Sequence, residues 1–183
     1  MSDQSKKLPR WFRGLAALGA IVSLLAAVFV VWNAGLPSED DDPIGPVRPF
    51  TVQTLDGQTL TVDASLNRPL IINFWATWCV PCAVEMPRLE QVYAQYAERG
   101  LLVLGVNAAQ EDPRDAEAYA ITHDLSFPLV IDFDRSIERS YEVRGVLPTT
   151  VFVDADGQIQ EIIYGILTED SLESGLHRIG IAQ

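Results

Sequence analysis

The chain has 183 residues, of which 48% are hydrophobic, and it carries a formal net charge of −12 at pH 7. A chain of this length and apolar content can form one domain with a buried core. So acidic a surface argues against nucleic-acid binding, because the phosphate backbone would repel it.

The first predicted element is a membrane-spanning helix over residues 15–32. This segment carries no charge, and as a helix it would extend about 27 Å, close to the roughly 30 Å of a bilayer core. Basic residues precede it and acidic residues follow it. The positive-inside rule therefore places residues 1–14 in the cytoplasm and the rest of the chain outside. We expect a single-pass protein of the cell membrane whose main domain is extracytoplasmic or periplasmic.

The alternative for this segment is a cleaved secretory signal. The apolar region of a signal spans only about 7 to 15 residues and ends in a site such as Ala-x-Ala. Trp32, Asn33 and Ala34 fit such a site poorly, so the pattern favours an uncleaved anchor. Under either interpretation the main domain is exported.

Residues 33–49 are predicted to form a tether, since they are rich in Pro, Gly and Asp and show no apolar period. The exported domain is then residues 50–183. It opens with an alternating pattern over residues 50–62 that turns at Asp56-Gly57, which predicts a β-hairpin. A nearly continuous apolar run at 68–76 predicts a strand that is covered on both faces.

The remainder of the domain alternates between helical and strand patterns. Apolar residues at helical spacing predict a helix from about Cys82 to Arg99, which Gly100 ends. Further elements are predicted in chain order: a strand at 101–107, a helix that starts at Asp112-Pro113, a strand at 127–133, a short helix at 135–143, two strands joined at Asp156-Gly157, and a last helix after Thr168. This order predicts an α/β fold with a central mixed β-sheet flanked by helices.

The two cysteines, Cys79 and Cys82, stand where a predicted strand meets a predicted helix. A structural bridge that closes so short a loop would contribute only about 2 kcal/mol to stability. Structural zinc normally needs four nitrogen or sulfur ligands, and the sequence has no second cysteine pair. Redox chemistry is therefore favoured, and no metal is expected.

The junction predicts different roles for the two thiols. Cys79 lies at the helix start, where free N–H groups and the helix dipole favour a thiolate. A thiol pKa lowered from about 8.5 to about 7 would raise the thiolate fraction at neutral pH to about half. Cys79 is thus predicted to be a reachable, ionised nucleophile. Cys82, one turn further and partly covered, is predicted to resolve the mixed disulfide.

Three motifs resemble those of the thioredoxin-like superfamily: WCVPC after the INFWAT strand, the AVEMP that follows it, and LPTT further along the chain. Within that superfamily they are most similar to the membrane-anchored TlpA/ResA group of thiol:disulfide oxidoreductases, over about residues 50–179. The resemblance implies a thioredoxin-like fold and dithiol–disulfide exchange. Cys79 and Cys82 match the redox pair, and no bound cofactor is expected.

The resemblance also implies roles for single residues. Pro148 matches the family's cis-proline, whose loop lies against the disulfide and binds an extended substrate segment. Glu85 matches an active-site acid that tunes the thiols, and its spacing from Cys82 places both on one helical face. The alternative for Glu85 is an ordinary acid in a first helical turn. Asn73 replaces the buried aspartate of thioredoxin, which leaves Glu85 as the nearest candidate for proton transfer.

The residues predicted to dock substrate surround the redox pair and are Trp78, Val80, Pro81, Leu147, Pro148 and Thr149. The resemblance implies a reductase of exported thiol proteins, either apocytochrome c or copper-site assembly factors. It also implies that a membrane electron-transfer protein supplies the electrons.

Two other functions are alternatives to thiol–disulfide exchange. A peroxiredoxin would need a P-x-x-x-T-x-x-C motif, and the residues before Cys79 lack that proline. A non-enzymatic copper-binding assembly protein of the Sco type would need Cys-x-x-x-Cys and a suitably placed histidine, and the spacing here is one residue short. Both alternatives are therefore weaker than thiol–disulfide exchange.

Overall fold

The computed structural model describes residues 23–30 and 42–181. Residues 23–30 form a helical segment with exposed side chains. Among the helices in these two ranges, none is both long and apolar enough to cross a bilayer. The predicted cytoplasmic segment 1–14, both ends of the predicted membrane helix 15–32 and residues 33–41 of the predicted tether lie outside the described residues.

Within residues 42–181, eight strands and four α-helices form the domain. The strands are β1 (Gly45–Pro46), β2 (Phe50–Gln53), β3 (Thr59–Val62), β4 (Leu70–Trp75), β5 (Leu102–Asn107), β6 (Leu129–Ile131), β7 (Thr149–Val153) and β8 (Gln158–Tyr164). The helices are α1 (Val80–Tyr96), α2 (Pro113–Thr122), α3 (Ser136–Ser140) and α4 (Glu169–Arg178). Each predicted element of the domain is present, and the strand at 127–133 is shorter than predicted.

The main sheet has the strand order β1-β8-β7-β4-β5-β6, and β2 and β3 form a separate antiparallel hairpin. β4, β5 and β6 are parallel because the crossover helices α1 and α2 connect them. β7 is antiparallel to both β4 and β8. The sheet is therefore mixed, as predicted, with β4 in its interior.

Two core clusters lie on the two faces of the sheet, because successive side chains of a strand point to opposite faces. Leu70, Ile72 and Phe74 belong to one cluster, which the hairpin and α3 complete. Ile71 and Trp75 belong to the other, which α1 and α4 complete. The second cluster also contains both cysteines. The redox pair is therefore built into the core on one side of β4.

The sheet begins earlier in the chain than predicted. β1 lies within residues 33–49, which the sequence assigns to a tether, and it pairs antiparallel with β8. The Val47 N–H donates to the Gly157 carbonyl at 2.8 Å, and the Val47 side chain is buried. A two-residue strand is too short to show an alternating pattern, so the sequence could not reveal it. The domain starts near residue 43 instead of residue 50.

Two of the α-helices, α2 and α4, begin after capping residues that the sequence identifies. The Asp112 carboxylate accepts from the Arg114 N–H before α2, and the Thr168 hydroxyl accepts from the Ser171 N–H before α4. Gly100, with a φ of 100°, ends the 3₁₀ turn that follows α1. Local chemistry thus fixes these boundaries, and it also fixes the start of α1, where Cys79 is the N-cap residue.

Candidate active site

Cys79 and Cys82 form a disulfide at the N-terminus of α1, with their Cα atoms 5.2 Å apart. Cys79 is the N-cap residue, and its sulfur accepts a hydrogen bond from the Cys82 N–H at 3.3 Å. Pro81 lies in the first helical turn, where its missing N–H removes no helical hydrogen bond. The Cys79 sulfur therefore faces the positive end of the helix, as predicted.

The disulfide is less accessible than predicted. Cys79 is only 4% exposed and Cys82 is fully buried. Both pack in one cluster with Trp75 and Met86, since the short bridge holds the Cys79 side chain over the first turn of α1. In the oxidised state a partner can therefore reach only a narrow edge of Cys79.

Glu85 lies on the buried face of α1, one turn after Cys82, and is 1% exposed. Its Oε1 accepts a hydrogen bond from Asn73 Nδ2 at 2.6 Å, and its Oε2 accepts one from the Leu167 N–H at 2.9 Å. Burial raises the pKa of the Glu85 carboxyl above its usual value, although both hydrogen bonds act to lower it. The carboxyl is thus fixed in position with an increased affinity for a proton.

Asn73 connects Glu85 to the neighbouring strand. Its side chain is fully buried, and its Nδ2 also donates to Thr150 Oγ1 at 3.0 Å. Its Oδ1 has no hydrogen-bond partner among the described residues. If the two ends of the amide exchange places, Oδ1 can accept from a protonated Glu85 and from the Thr150 hydroxyl. The pair therefore has a bonded arrangement for each protonation state of Glu85.

The predicted docking residues separate into an exposed set and a buried set. Trp78 is 67% exposed and Val80 is also exposed, whereas Pro81 and Leu147 are half-buried. Pro148 and Thr149 are buried, so any contact they make with a substrate would be through the backbone, and their place in the docking surface stays a prediction.

Strand pairing explains why Thr149 is buried. Thr149 begins β7 between Phe74 of β4 and Tyr164 of β8, and its hydroxyl donates to the Val146 carbonyl at 2.7 Å. The Leu147–Pro148 peptide bond is cis, as predicted. Thr149 is therefore part of the main sheet, and Pro148 directly precedes that sheet.

Three other exposed apolar side chains were not predicted, one on α1, one on the loop before the cis-proline and one after β8: Val84, Val146 and Ile166. Val84 follows Val80 by one helical turn, and that i, i+4 spacing was visible in the sequence. Ile166 lies beside the cis-proline, because the Gly165 N–H donates to the Pro148 carbonyl at 2.8 Å. No sequence pattern indicates that contact between distant segments.

A cavity of about 260 Å³ opens between Trp78 and Leu147. Its other lining residues are Ala108, Ala109, Gln110, Arg135, Glu138 and Gly145. Glu138 accepts from the Arg135 guanidinium at 2.8 Å and from the Gly145 N–H at 2.9 Å. These bonds hold the loop that leads to the cis-proline, so the cavity has a defined wall on that side.

The arrangement supports sulfur chemistry. After reduction, Cys79 would lie at a helix N-terminus, where free N–H groups favour a thiolate. A second thiol and a buried carboxyl follow on the same helix. Within residues 23–30 and 42–181, no group of three or more His, Cys, Asp or Glu side chains is placed to hold a metal ion.

Comparison with known proteins identifies thioredoxin-like and thiol-disulfide oxidoreductase relatives. The model of the AhpC/TSA family matches residues 45–162. The chain is 37% identical over 129 residues to the thioredoxin-like protein YneN of Bacillus subtilis, an alignment that covers 69% of this chain and 74% of the relative. It is 32% identical over 161 residues to the thiol-disulfide oxidoreductase ResA of Geobacillus kaustophilus, which covers 87% of this chain and 91% of the relative.

A solved structure agrees with these relatives. The thiol:disulfide interchange protein of the thioredoxin family from Chlorobium tepidum TLS matches with a TM-score of 0.62 and 27% sequence identity. The match covers 74% of this chain and 95% of that chain. The predicted thioredoxin-like fold is therefore confirmed.

Proposed function

Because this chain belongs to the AhpC/TSA family and is a ResA-like thiol-disulfide oxidoreductase, we propose that it reduces disulfides in exported proteins. The observation that carries the proposal is the position of the redox pair. Cys79 caps α1, and Cys82 lies one turn further along the helix, joined to Cys79 by a disulfide. Dithiol–disulfide exchange needs one ionised thiol and one resolving thiol in that arrangement.

In the proposed reaction, the Cys79 thiolate attacks one sulfur of a substrate disulfide. A new S–S bond joins Cys79 to the substrate, and the other substrate sulfur leaves and takes up a proton. Cys82 then loses its proton and attacks the Cys79 sulfur, which restores the Cys79–Cys82 disulfide and releases the second substrate thiol. The substrate gains two electrons, and the protein loses two.

Glu85 is proposed to accept the proton that Cys82 gives up. Because burial raises its pKa, its carboxyl exchanges a proton closer to neutral pH than an exposed glutamate does. An ordinary acid in a first helical turn would be solvated, whereas Glu85 is buried and bonded at both oxygens. These contacts support the functional interpretation of Glu85 over the structural one.

The surface around the disulfide suits an extended apolar segment of a substrate protein. Trp78 and Val80 lie exposed on one side of the redox pair, and Val146 and Ile166 lie exposed on the side of the cis-proline loop. The cavity beside Trp78 has room for one side chain next to the target cysteine. We expect the substrate backbone to follow the loop that precedes Pro148.

The proposed setting is the outer side of the cell membrane. In this proposal residues 15–32 anchor the protein, residues 1–14 are cytoplasmic, and the catalytic domain is extracytoplasmic or periplasmic. The substrates are the cysteines of apocytochrome c or of copper-site assembly factors. A membrane electron-transfer protein returns electrons to the Cys79–Cys82 pair, and the domain uses no bound cofactor.

A trapping experiment tests the proposal. In the full chain expressed in its membrane, Cys82→Ser should leave substrates covalently attached to Cys79, and Cys79→Ser should abolish this attachment. Mass spectrometry of the trapped partners identifies the substrate class. Equal labelling of both variants would contradict the assigned roles.

Two further measurements separate the alternatives. A redox titration should give a potential more negative than that of the trapped partner, as a reductase requires. Peroxide consumption as fast as disulfide reduction would favour a peroxidase. Tight stoichiometric Cu(I) binding without thiol exchange would favour a copper-binding assembly protein.

A further inference from the structure

Glu111, in the loop between β5 and α2, contacts the turn that precedes the redox pair. Its Oε2 accepts a hydrogen bond from the Thr77 N–H at 3.0 Å, and its Oε1 accepts one from the Thr77 hydroxyl at 2.6 Å. Asn107 Nδ2 donates to the same Oε2. One carboxylate thus links the end of β5 to the residue two positions before Cys79. We call these three residues, Glu111, Thr77 and Asn107, the Glu111 clamp.

The sheet side of the clamp is firmly held. Asn107 is fully buried at the end of β5, and its Oδ1 accepts from the Ala109 N–H at 3.1 Å. Its carbonyl accepts from the Asp132 N–H at 3.0 Å. Both ends of the Asn107 amide are therefore fixed, and the Glu111 carboxylate rests on a rigid base.

The turn on the other side of the clamp runs from Ala76 to Cys79, whose side chains are both buried. The Cys79 N–H donates to the Ala76 carbonyl at 3.2 Å, which closes the turn. Between these residues, Trp78 is largely exposed and gains little from core packing. Thr77 is the residue through which the turn is tied to the sheet by side-chain hydrogen bonds.

We propose that Glu111 is a positioning residue for the redox pair, acting through Thr77. While the disulfide is closed, the S–S bond itself holds Cys79 against α1. Once it is reduced, the clamp keeps the Cys79 sulfur over the Cys82 N–H at the helix start, where a thiolate is stabilised. The proposal rests on the thiol–disulfide exchange described above and adds a residue to that site.

Loss of the Glu111 charge and loss of the Glu111 clamp would change the thiol pKa of Cys79 in opposite directions. A negative carboxylate near a thiol disfavours the thiolate, so removal of the Glu111 charge alone would lower the thiol pKa of Cys79. Loss of the clamp would instead let the sulfur leave the helix N-terminus and would raise that pKa. The direction of the change therefore distinguishes the two effects.

A glutamine can replace the carboxylate in this geometry. Its carbonyl oxygen can occupy the place of Oε2, which accepts from two N–H donors. Its NH₂ can occupy the place of Oε1 and donate to the Thr77 hydroxyl, which can also act as an acceptor. Glu111→Gln therefore keeps the bonds and removes the charge, whereas Glu111→Ala removes both.

The test measures the pH dependence of iodoacetamide alkylation of the reduced full chain in a Cys82→Ser background, so that Cys79 alone reacts. We expect Glu111→Ala to raise the apparent pKa of Cys79 and to slow alkylation at pH 7 about three- to tenfold. Glu111→Gln should restore the rate to within about twofold. Glu117→Ala, at an exposed position of α2, is the matched control and should leave the profile unchanged.

Several outcomes would overturn the proposal. An unchanged or lowered pKa in Glu111→Ala would do so, as would a Glu111→Gln variant as slow as the alanine variant. Thr77→Ala should slow alkylation in the same direction, and its effect should not add to that of Glu111→Ala. Full additivity would show that the two residues act separately.

The readout also separates this proposal from the proposed function. Alkylation needs no protein substrate, so the pKa of Cys79 is measurable even if no exported partner is trapped. A normal Glu111 effect with an empty trap would contradict the proposed substrates alone. Circular dichroism of each variant checks folding, and the glutamine variant keeps the test decisive if the alanine variant is unstable.

Discussion

The two faces of β4 are buried to the same degree but hold different chemistry. On one face, Leu70, Ile72 and Phe74 pack into an apolar cluster. On the other, Asn73 lies between Ile71 and Trp75 and donates a hydrogen bond to Glu85. Burial alone therefore does not mark the active site. The marker is a polar pair buried where apolar side chains would fit.

The difference between the faces has an energetic meaning. A buried carboxyl costs free energy, which is expressed here as a raised pKa of Glu85. An unused acceptor on Asn73 adds to that cost. An apolar pair at these positions would cost less free energy to bury, so stability does not explain the polar face, and this agrees with the catalytic role proposed for Glu85.

The largest effect on stability should come from a substitution on the apolar face of β4. Phe74→Ala removes a fully buried ring and should lower the free energy of unfolding by about 3–5 kcal/mol, measured by urea denaturation. Because Phe74 points away from the redox pair, the pH profile of Cys79 alkylation in the folded protein should be unchanged. A shifted alkylation profile would show that the two faces are not independent.

A substitution on the polar face of β4 should instead change the rate of disulfide reduction and its pH profile. Glu85→Gln keeps the side-chain volume and can still accept from the Leu167 N–H, but it cannot exchange a proton. We expect disulfide reduction at neutral pH to fall about 10²-fold, since general acid–base groups contribute on that order. The measurement is kcat/KM for reduction of a disulfide-bonded protein against pH. A profile with the shape of the unchanged protein would remove Glu85 from the mechanism.

Glu85 also shows how much of the site the sequence could predict. Its helical spacing from Cys82 predicted the buried face on which it lies. Its second hydrogen bond comes from the Leu167 backbone, in the loop before α4. Such a donor has no side-chain signature, so no sequence pattern could indicate it. The same holds for Glu111, which accepts from the Thr77 N–H although the two residues are 34 positions apart in the chain.

The fold was predicted where the pattern is long enough to read. β4 and β5 are buried on both faces, and their apolar runs indicated this. β1 has two residues and escaped detection for that reason. The sequence also did not indicate that Thr149, a predicted docking residue, pairs with Phe74 on one side and Tyr164 on the other.

The polar face should also make stability depend on pH. The pKa of Glu85 is raised above its ordinary value of 4.5 in the folded state, so between the two values the folded protein binds more protons than the unfolded chain. Below pH 4.5 Glu85 is protonated in both states and does not lower the free energy of unfolding. As pH rises from 4.5 through the raised pKa of the folded state, the free energy of unfolding falls. Each unit by which the pKa is raised corresponds to about 1.4 kcal/mol.

Glu85→Gln tests this dependence because it lacks the titrating group. The stability of Glu85→Gln relative to the unchanged protein should increase from pH 4 upward and then level off, as measured by urea denaturation at each pH. Phe74→Ala is the control, since its deficit should stay constant over the same range. A constant difference for Glu85→Gln would contradict a raised pKa.

The smallest effects on stability are expected from two conservative substitutions, one on each face of β4 and its neighbouring strand. Thr150→Val removes an acceptor of Asn73 Nδ2, which keeps its bond to Glu85, so the cost should be about 1 kcal/mol. Ile72→Val on the apolar face should cost a similar amount, about 0.5–1.5 kcal/mol. Stability alone will therefore not distinguish these variants.

Catalysis should distinguish them. The Thr150 hydroxyl helps to orient Asn73, which in turn orients Glu85, so Thr150→Val should slow disulfide reduction about two- to threefold, while Ile72→Val should not. Thr150→Ser keeps the hydroxyl and should restore the rate. The measurement is kcat/KM at neutral pH. We expect Ile72→Val to leave the rate unchanged, so an equal slowing by Ile72→Val and Thr150→Val would contradict the role of the hydroxyl. A lost methylene would then matter as much as a lost hydrogen bond, and both faces of β4 would contribute to the site through rigidity alone.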